Sequence, residues 1–233
     1  EFFREIYAGV RAANRDIAID IRAKAIADDT WEAALATEMP TTVSTKFWCE
    51  HQGMPYHAML LQDFDRMVRR HSYGDLLKCP RKYDVLFRLW NFGTNKFTVW
   101  GDPAWVRTFV SSCALDGSRG FEVCAPLTNK GFRNVGGAWP LFKSSDLHWY
   151  QYEDDRYWFW YLLFGRIGYN PQCTEDVWVR EFTNRFGAIA GPDVQMAVEK
   201  GSHFLPFITA AHLPSASVFG WWPERDTGGL IDF

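Results

Sequence analysis

Hydrophobic and polar positions alternate in four short runs of the chain. The runs are residues 17–25, 43–50, 84–91 and 120–127. Side chains of a β-strand point alternately to its two faces, so each run divides into two sets of residues. One set is mostly apolar, as in Val85, Phe87 and Leu89, whereas the other set carries charges, as in Asp20 and Arg22. Because burying unpaired charges is costly, the charged faces are expected to meet in a wet or internally paired interior.

Helical patterns separate these runs. Residues 1–14 and 30–39 have apolar residues at helical spacing, and Asp102 followed by Pro103 is a strong helix start for residues 103–113. This alternation of helices and strands predicts parallel strands joined by crossover helices. Strands with one charged face fit half of a (β/α)8 barrel better than a doubly wound sheet, whose central strands are almost continuously apolar.

The character of the chain changes after residue 127. A stretch rich in Gly, Asn and Pro reaches residue 143, and three helical patterns follow at residues 146–164, 175–186 and 192–211. We therefore predict an α/β fold: the C-terminal half of a (β/α)8 TIM barrel at 1–143, then a helical region at 144–233. Half a barrel leaves two strand edges open. We interpret the chain as a fragment completed by upstream sequence or by a partner chain.

Composition excludes several classes of function. The formal net charge is −3 and no basic run is present, so nucleic acid is not an expected partner. No apolar stretch is long enough to span a bilayer, and no glycine-rich phosphate-binding motif occurs, so neither a membrane nor a nucleotide cofactor is expected. The five cysteines form no C-x-x-C pair. The twelve tryptophans suit an apolar core, but they also suit a cleft that binds sugars.

Carboxylates are the best candidates for chemistry. Catalytic groups of a (β/α)8 barrel come from the carboxyl ends of the strands, where Glu50 falls. Glu122 is a second candidate, although its place early in a strand also suits an ion pair with Arg88. Asp102 is a third, although its simplest role is the helix cap. A solvated position just past a strand end remains the alternative interpretation of Glu50.

The cations on the charged faces suggest which kind of ligand the chain binds. Strand parity places Arg22, Lys46 and Arg88 on one interior, where they could bind an anionic group or be neutralised by nearby carboxylates. Trp48 and Trp90 lie on the same faces and are candidate stacking platforms for a sugar. His51, next to Glu50, is a candidate hydrogen-bond donor to substrate. The spacing of the histidines matches no standard metal motif, so no metal is predicted.

A family resemblance rests on the helical region. Residues 164–171 read Phe-Gly-Arg-Ile-Gly-Tyr-Asn-Pro and lead into a helix for which Thr174 is the expected cap. Residues 195–200 read Gln-Met-Ala-Val-Glu-Lys, and residues 205–212 read Leu-Pro-Phe-Ile-Thr-Ala-Ala-His. This plan resembles the glycoside hydrolases related to xylan alpha-glucuronidases, in which a catalytic barrel precedes a helical domain that begins with a similar Gly-Arg-x-Gly-x-Asn-Pro stretch. The resemblance assigns no catalytic carboxylate in this chain.

The resemblance implies a TIM-barrel hydrolase that acts on plant or algal glycans, with a uronic acid as a candidate point of attack. We therefore expect glycoside hydrolysis by carboxylate acid/base catalysis, a carbohydrate substrate, no cofactor, and an extracellular or periplasmic location. Two alternatives stay open. One is a non-catalytic glycan-binding or structural barrel protein. The other is a metal-dependent TIM-barrel hydrolase, which would need His51, His57 or His148 to meet a carboxylate.

Overall fold

The helices and strands of the chain are given by a computed structural model, which describes residues 1–13, 17–22, 28–46, 82–90, 99–114, 118–124, 155 and 157–204. The helices are α1 Phe2–Ala12, α2 Asp28–Leu35, α3 Pro103–Ser112, α4 Trp158–Tyr169 and α5 Asp176–Ser202. The strands are β1 Ile19–Arg22, β2 Thr41–Lys46, β3 Asp84–Trp90 and β4 Gly120–Cys124.

The four strands form one parallel sheet in the order β1-β2-β3-β4. This confirms the predicted direction and order of the strands and places the described residues in an α/β fold. β1 begins at Ile19 rather than at residue 17, and β2 begins at Thr41 rather than at residue 43. The ends of the four predicted runs lie outside the described residues. Within the described residues, β1 and β4 are the edges of the sheet.

The apolar face of the sheet forms the floor of the main core. Val85, Phe87 and Leu89 of β3 are fully buried, and Val43 of β2 is equally buried in a small neighbouring cluster. Helix α3 covers this face because its inner side carries apolar residues at helical spacing, including Val106 and Phe109. The predicted division of each strand into an apolar and a polar face is therefore confirmed on the helix side.

Helix α4 packs closely on the same core. It continues past the predicted end at residue 164 to Tyr169 because Gly165 and Gly168 do not interrupt it. At Gly168 a Cβ atom would lie 2.8 Å from Cζ of Phe121, so the missing side chain lets the helix approach β4. The helix begins at Trp158 with Tyr157 in the N-cap position, so the prediction of one continuous helix over 146–164 is wrong at Tyr157. Residue 146, its predicted start, lies outside the described residues.

Helix α5 contains the break that the sequence predicts between two helices. Gly187 has φ 81° and ψ 164°, a conformation that costs glycine little and other residues much more. The segments on either side of Gly187 correspond to the patterns at 175–186 and 192–211. The second helix ends at Ser202, before the predicted end at residue 211, and residues 205–211 lie outside the described residues. The cap prediction at Thr174 is wrong: Glu175 holds the N-cap position, and the Thr174 hydroxyl donates to Asp176.

A single core joins the sheet to the helices that follow it. Trp178 and Phe182 of α5 belong to the same buried cluster as the apolar residues of β3. Arg107 of α3 adds polar contacts, since its guanidinium donates to the carbonyls of Pro171 and Cys173 and lies 5.5 Å from the Trp178 ring centroid. The predicted domain boundary near residue 143 falls outside the described residues.

The apolar stripe of α1 is mostly exposed. Tyr7 is buried, whereas Phe2 is 71% exposed and Ile6 is 44% exposed. The spacing therefore predicts the helix correctly, but among the described residues only part of the stripe is covered. None of the described helices has the length and apolar character needed to cross a membrane.

Candidate functional site

On the charged face of the sheet, the strand register places residues of neighbouring strands side by side in rows. Lys46, Arg88 and Glu122 are register partners across β2, β3 and β4. Arg22 and Ser44 are partners in a row nearer the amino ends of the strands. Because partnered residues of a parallel sheet point to the same side, these positions share the face opposite the apolar core. The structure thus brings together the strand positions that parity assigned to one polar surface.

Arg88 and Glu122 form an ion pair on this face. The Nε–H of Arg88 donates to Oε1 of Glu122, and the two side chains are 22% and 39% exposed. This is the ion-pair role predicted as the alternative to catalysis for Glu122. A guanidinium carries five N–H donors, and the bond to Glu122 uses only the one on Nε.

A second polar contact links the neighbouring strands. The Ser44 hydroxyl donates to Oδ1 of Asp20 at 2.5 Å, and Ser44 is 1% exposed. Arg22 is half-buried close by on the same strand as Asp20. The sheet face therefore carries carboxylates as well as cations, as expected if internal pairing neutralises part of its charge.

The described contacts of Asp102 are with α3 and with His203 rather than with the row of Lys46, Arg88 and Glu122. Its side chain is almost completely buried at the N-terminus of α3, where Oδ1 accepts a hydrogen bond from the Trp105 amide at 3.0 Å. Its Oδ2 lies 3.1 Å from Nε2 of His203, just past the end of α5. Oδ1 thus caps α3 and Oδ2 contacts His203, and the helix-cap interpretation of Asp102 is confirmed.

Sequence reasoning missed the carboxyl group of Glu199, on which the charges of Asp102 and His203 act. Burial raises the pKa of Glu199 above its ordinary value; the neighbouring charges of Glu175 and Asp102 raise it further. The bond from Gln195 Nε2, at 2.9 Å, and the charge of His203 oppose that rise. The spacing of Gln195, Glu199 and His203 on one helical face is the only sequence signal of this group, and nothing in it indicates burial.

The remaining candidates cannot be placed. Glu50, Trp48 and His51 lie outside the described residues, as do His57 and His148 of the metal alternative. For Lys46 and Trp90 the structure gives the strand position, and their side chains lie outside what it describes. Within the described ranges, no group of three or more His, Cys, Asp or Glu residues could hold a metal ion.

The described tryptophans with the lowest exposure serve the core. Trp100, Trp105, Trp160 and Trp178 are at most 5% exposed. Trp100 and Trp105 meet edge to face with ring centroids 5.6 Å apart. These four rings therefore contribute to folding rather than to a sugar-binding surface.

Comparison with known proteins identifies a similar fold. No family model matches the sequence, and no curated protein matches it. Among solved structures, a GH138 enzyme targeting pectin rhamnogalacturonan II matches with a TM-score of 0.61 at 14% identity. The match covers 87% of this chain and 23% of that chain. At this identity the likeness shows a shared fold alone, and it does not support the relation to xylan alpha-glucuronidases.

Proposed function

We propose that this chain is part of a glycoside hydrolase whose site lies on the charged face of the parallel sheet. The observation that carries the proposal is the row of Lys46, Arg88 and Glu122, in register on the face opposite the core. Lys46 is the last residue of β2, and polar groups at the carboxyl ends of parallel strands are typical of catalytic sites in α/β folds. The similar fold of a glycoside hydrolase supports the reaction class.

We further propose that the sheet is the C-terminal half of a (β/α)8 barrel. A parallel sheet in sequential strand order with helices on its apolar face is what such a half would contain. The chain spans about a quarter of the length of its structural neighbour, at 23%, which leaves room there for the rest of a barrel. Part of the catalytic machinery would then come from outside this chain.

The proposed mechanism uses two carboxyl groups. One stays protonated to assist the leaving oxygen, and the other activates water or attacks the sugar; the two groups lie roughly 5–10 Å apart in such enzymes. Glu50 is our first choice because it follows the strand that carries Lys46. Glu122 is the second choice, since it shares a register row with Lys46 and Arg88. We assign Asp102 a structural role because both of its oxygens already contact α3 and His203.

The proposed substrate is an acidic glycan. Arg88 and Lys46 are adjacent in the register, and Arg22 lies on the same face; a guanidinium binds a sugar carboxylate through paired hydrogen bonds. The neighbour targets a pectin, which makes pectic glycans the first class to test. Trp48 and Trp90 are proposed to stack on the sugar, and His51 to donate a hydrogen bond to it.

Hydrolysis of pectic oligosaccharides by the complete protein, compared with neutral polysaccharides, tests this proposal. Glu50→Gln is expected to lower kcat by about 10²-fold or more, the usual contribution of an acid–base group. Arg88→Ala is expected to raise KM for acidic substrates more than for neutral ones. The exposed Glu5→Gln on α1 is the matched control and should leave both constants unchanged. A Glu50→Gln protein with normal turnover would remove Glu50 from the mechanism.

A specific observation favours a second candidate, a non-catalytic glycan-binding protein. Both described carboxylate candidates, Glu122 and Asp102, already have protein partners. Such a protein would bind acidic oligosaccharides, with binding weakened by Arg88→Ala, and would release no reducing ends. Binding without turnover by the complete protein would therefore favour this candidate over the hydrolase.

A further inference from the structure

The end of α5 is bonded to the segment that enters α3. The indole Nε1 of Trp100 donates to the carbonyl of Ser202 at 2.9 Å, and the amide of Gly101 donates to the Ser202 hydroxyl at 2.7 Å. The same hydroxyl donates to the Val198 carbonyl at 2.6 Å, and Ser202 is 1% exposed. This part of the contact is buried and carries no ionisable group, so pH does not act on it directly.

The adjoining part of the contact is ionisable. Asp102 Oδ2 lies 3.1 Å from His203 Nε2, with side-chain exposures of 9% and 65%. An imidazole forms a charged pair with a carboxylate only when it is protonated, and histidine is the side chain that ordinarily changes charge between about pH 5 and pH 8. The strength of this contact therefore depends on pH.

The surroundings of the pair are acidic. Glu199 precedes His203 by one helical turn, and Glu175 and Asp102 are the negative charges that act on it. Among the described residues, His203 is the positive group that opposes them. Deprotonation of His203 would leave three carboxyl groups with no positive group among these four residues.

We propose that the end of α5 is a pH-dependent latch on the start of α3, tight when His203 is protonated and loosened as His203 loses its proton. Loss of that proton removes the charge pair with Asp102. The inference goes beyond the proposed function and does not depend on it.

Hydrogen exchange at the Gly101 amide tests the latch in the complete protein, because this amide donates to Ser202. After correction for intrinsic exchange, protection is expected to fall about two- to fivefold from about pH 5 to about pH 8, the size of a partly exposed ion pair. His203→Gln is expected to abolish that dependence, because it keeps a hydrogen-bonding side chain while removing the titrating group.

Lys200→Gln is the matched control, because it changes a charge in the same turn of α5 at an exposed side chain. Its pH dependence should equal that of the unmodified protein. Protection at Gly101 that does not change with pH, or a fall that persists in His203→Gln, would overturn the proposal.

Discussion

At the scale of single residues, replacing Glu122 distinguishes a structural role of the Arg88–Glu122 ion pair from a catalytic role of Glu122. The two side chains are 22% and 39% exposed, so solvent screens their attraction. We expect Glu122→Gln to lower the free energy of unfolding by less than about 1 kcal/mol, measured by denaturant unfolding. A loss of hydrolytic activity beyond about 10²-fold in the same variant would give Glu122 a catalytic role. A loss of unfolding free energy well above about 1 kcal/mol would instead show that the pair holds the sheet together.

The raised pKa of Glu199 determines the direction in which this residue changes the stability of the protein with pH. Its pKa is raised on folding, mainly by burial, so the folded protein holds this proton more tightly than the unfolded chain does. The resulting stability is fully present below the ordinary pKa of a glutamic acid and is lost as pH rises through the raised value. Glu199→Gln removes the charge and keeps an oxygen to accept from Gln195.

We therefore expect Glu199→Gln to have a higher Tm than the unmodified protein at neutral pH and little or no advantage at acidic pH. Thermal unfolding of both proteins over the acid-to-neutral range checks this. Asp193→Asn, at an exposed position on the same helix, controls for a general effect of removing one negative charge, since Asp193 is not among the charges that act on Glu199. A Tm gain in Glu199→Gln that is no larger at neutral than at acidic pH would contradict the expectation.

At the scale of elements, two glycines of α4 provide a matched comparison. Gly165 has no atom within 4 Å of where a Cβ would be, whereas the Cβ of a residue at 168 would lie 2.8 Å from the Phe121 ring. We expect Gly165→Ala to stabilise the protein by about 0.5–1 kcal/mol, because alanine favours the helix. Gly168→Ala should gain less or lose stability, because the ring must shift. Equal Tm changes in the two variants would show that α4 does not approach β4 this closely.

Elements with strong local signals could be predicted from the sequence. Asp102 and Pro103 mark the start of α3, and the alternation in 84–91 marks β3, because capping and strand parity depend on neighbours in the chain. The close approach of Gly168 to Phe121 could not be predicted, because it is a contact with a distant strand. Parity assigns Arg88 and Glu122 to one side of the sheet, which made their ion pair predictable. The register that makes Lys46 a direct partner of Arg88 is a contact between distant segments and could not be predicted.

At the scale of the whole molecule, the sheet and the later helices share one core. Phe182 of α5 is 1% exposed and packs 4.8 Å from Phe159 and 4.9 Å from Trp158, measured between ring centroids. We expect Phe182→Ala to cost about 3–5 kcal/mol, the usual range for a buried phenylalanine. Because β3 residues belong to the same cluster, hydrogen exchange should accelerate in β3 as well as in α5.

Phe186→Ala is the control for this experiment. Phe186 lies one turn further along α5 and is 40% exposed, so its loss should cost much less. If Phe182→Ala accelerated exchange in α5 and left β3 unchanged, the sheet and helices would unfold as separate units. The sequence suggested two regions because the composition changes after residue 127, and composition carries no information on contacts between distant segments.

The strict alternation of faces in β3 constrains how sequences of this fold can diverge. Phe87 and Leu89 are fully buried, and Arg88 between them lies on the polar face. A substitution at one of these positions changes one side chain, but deletion of one residue would turn the rest of the strand over. It would move Arg88 into the core and the apolar residues onto the charged face. Length changes among relatives should therefore fall in the connections between elements, while the strands keep their lengths and change by substitution.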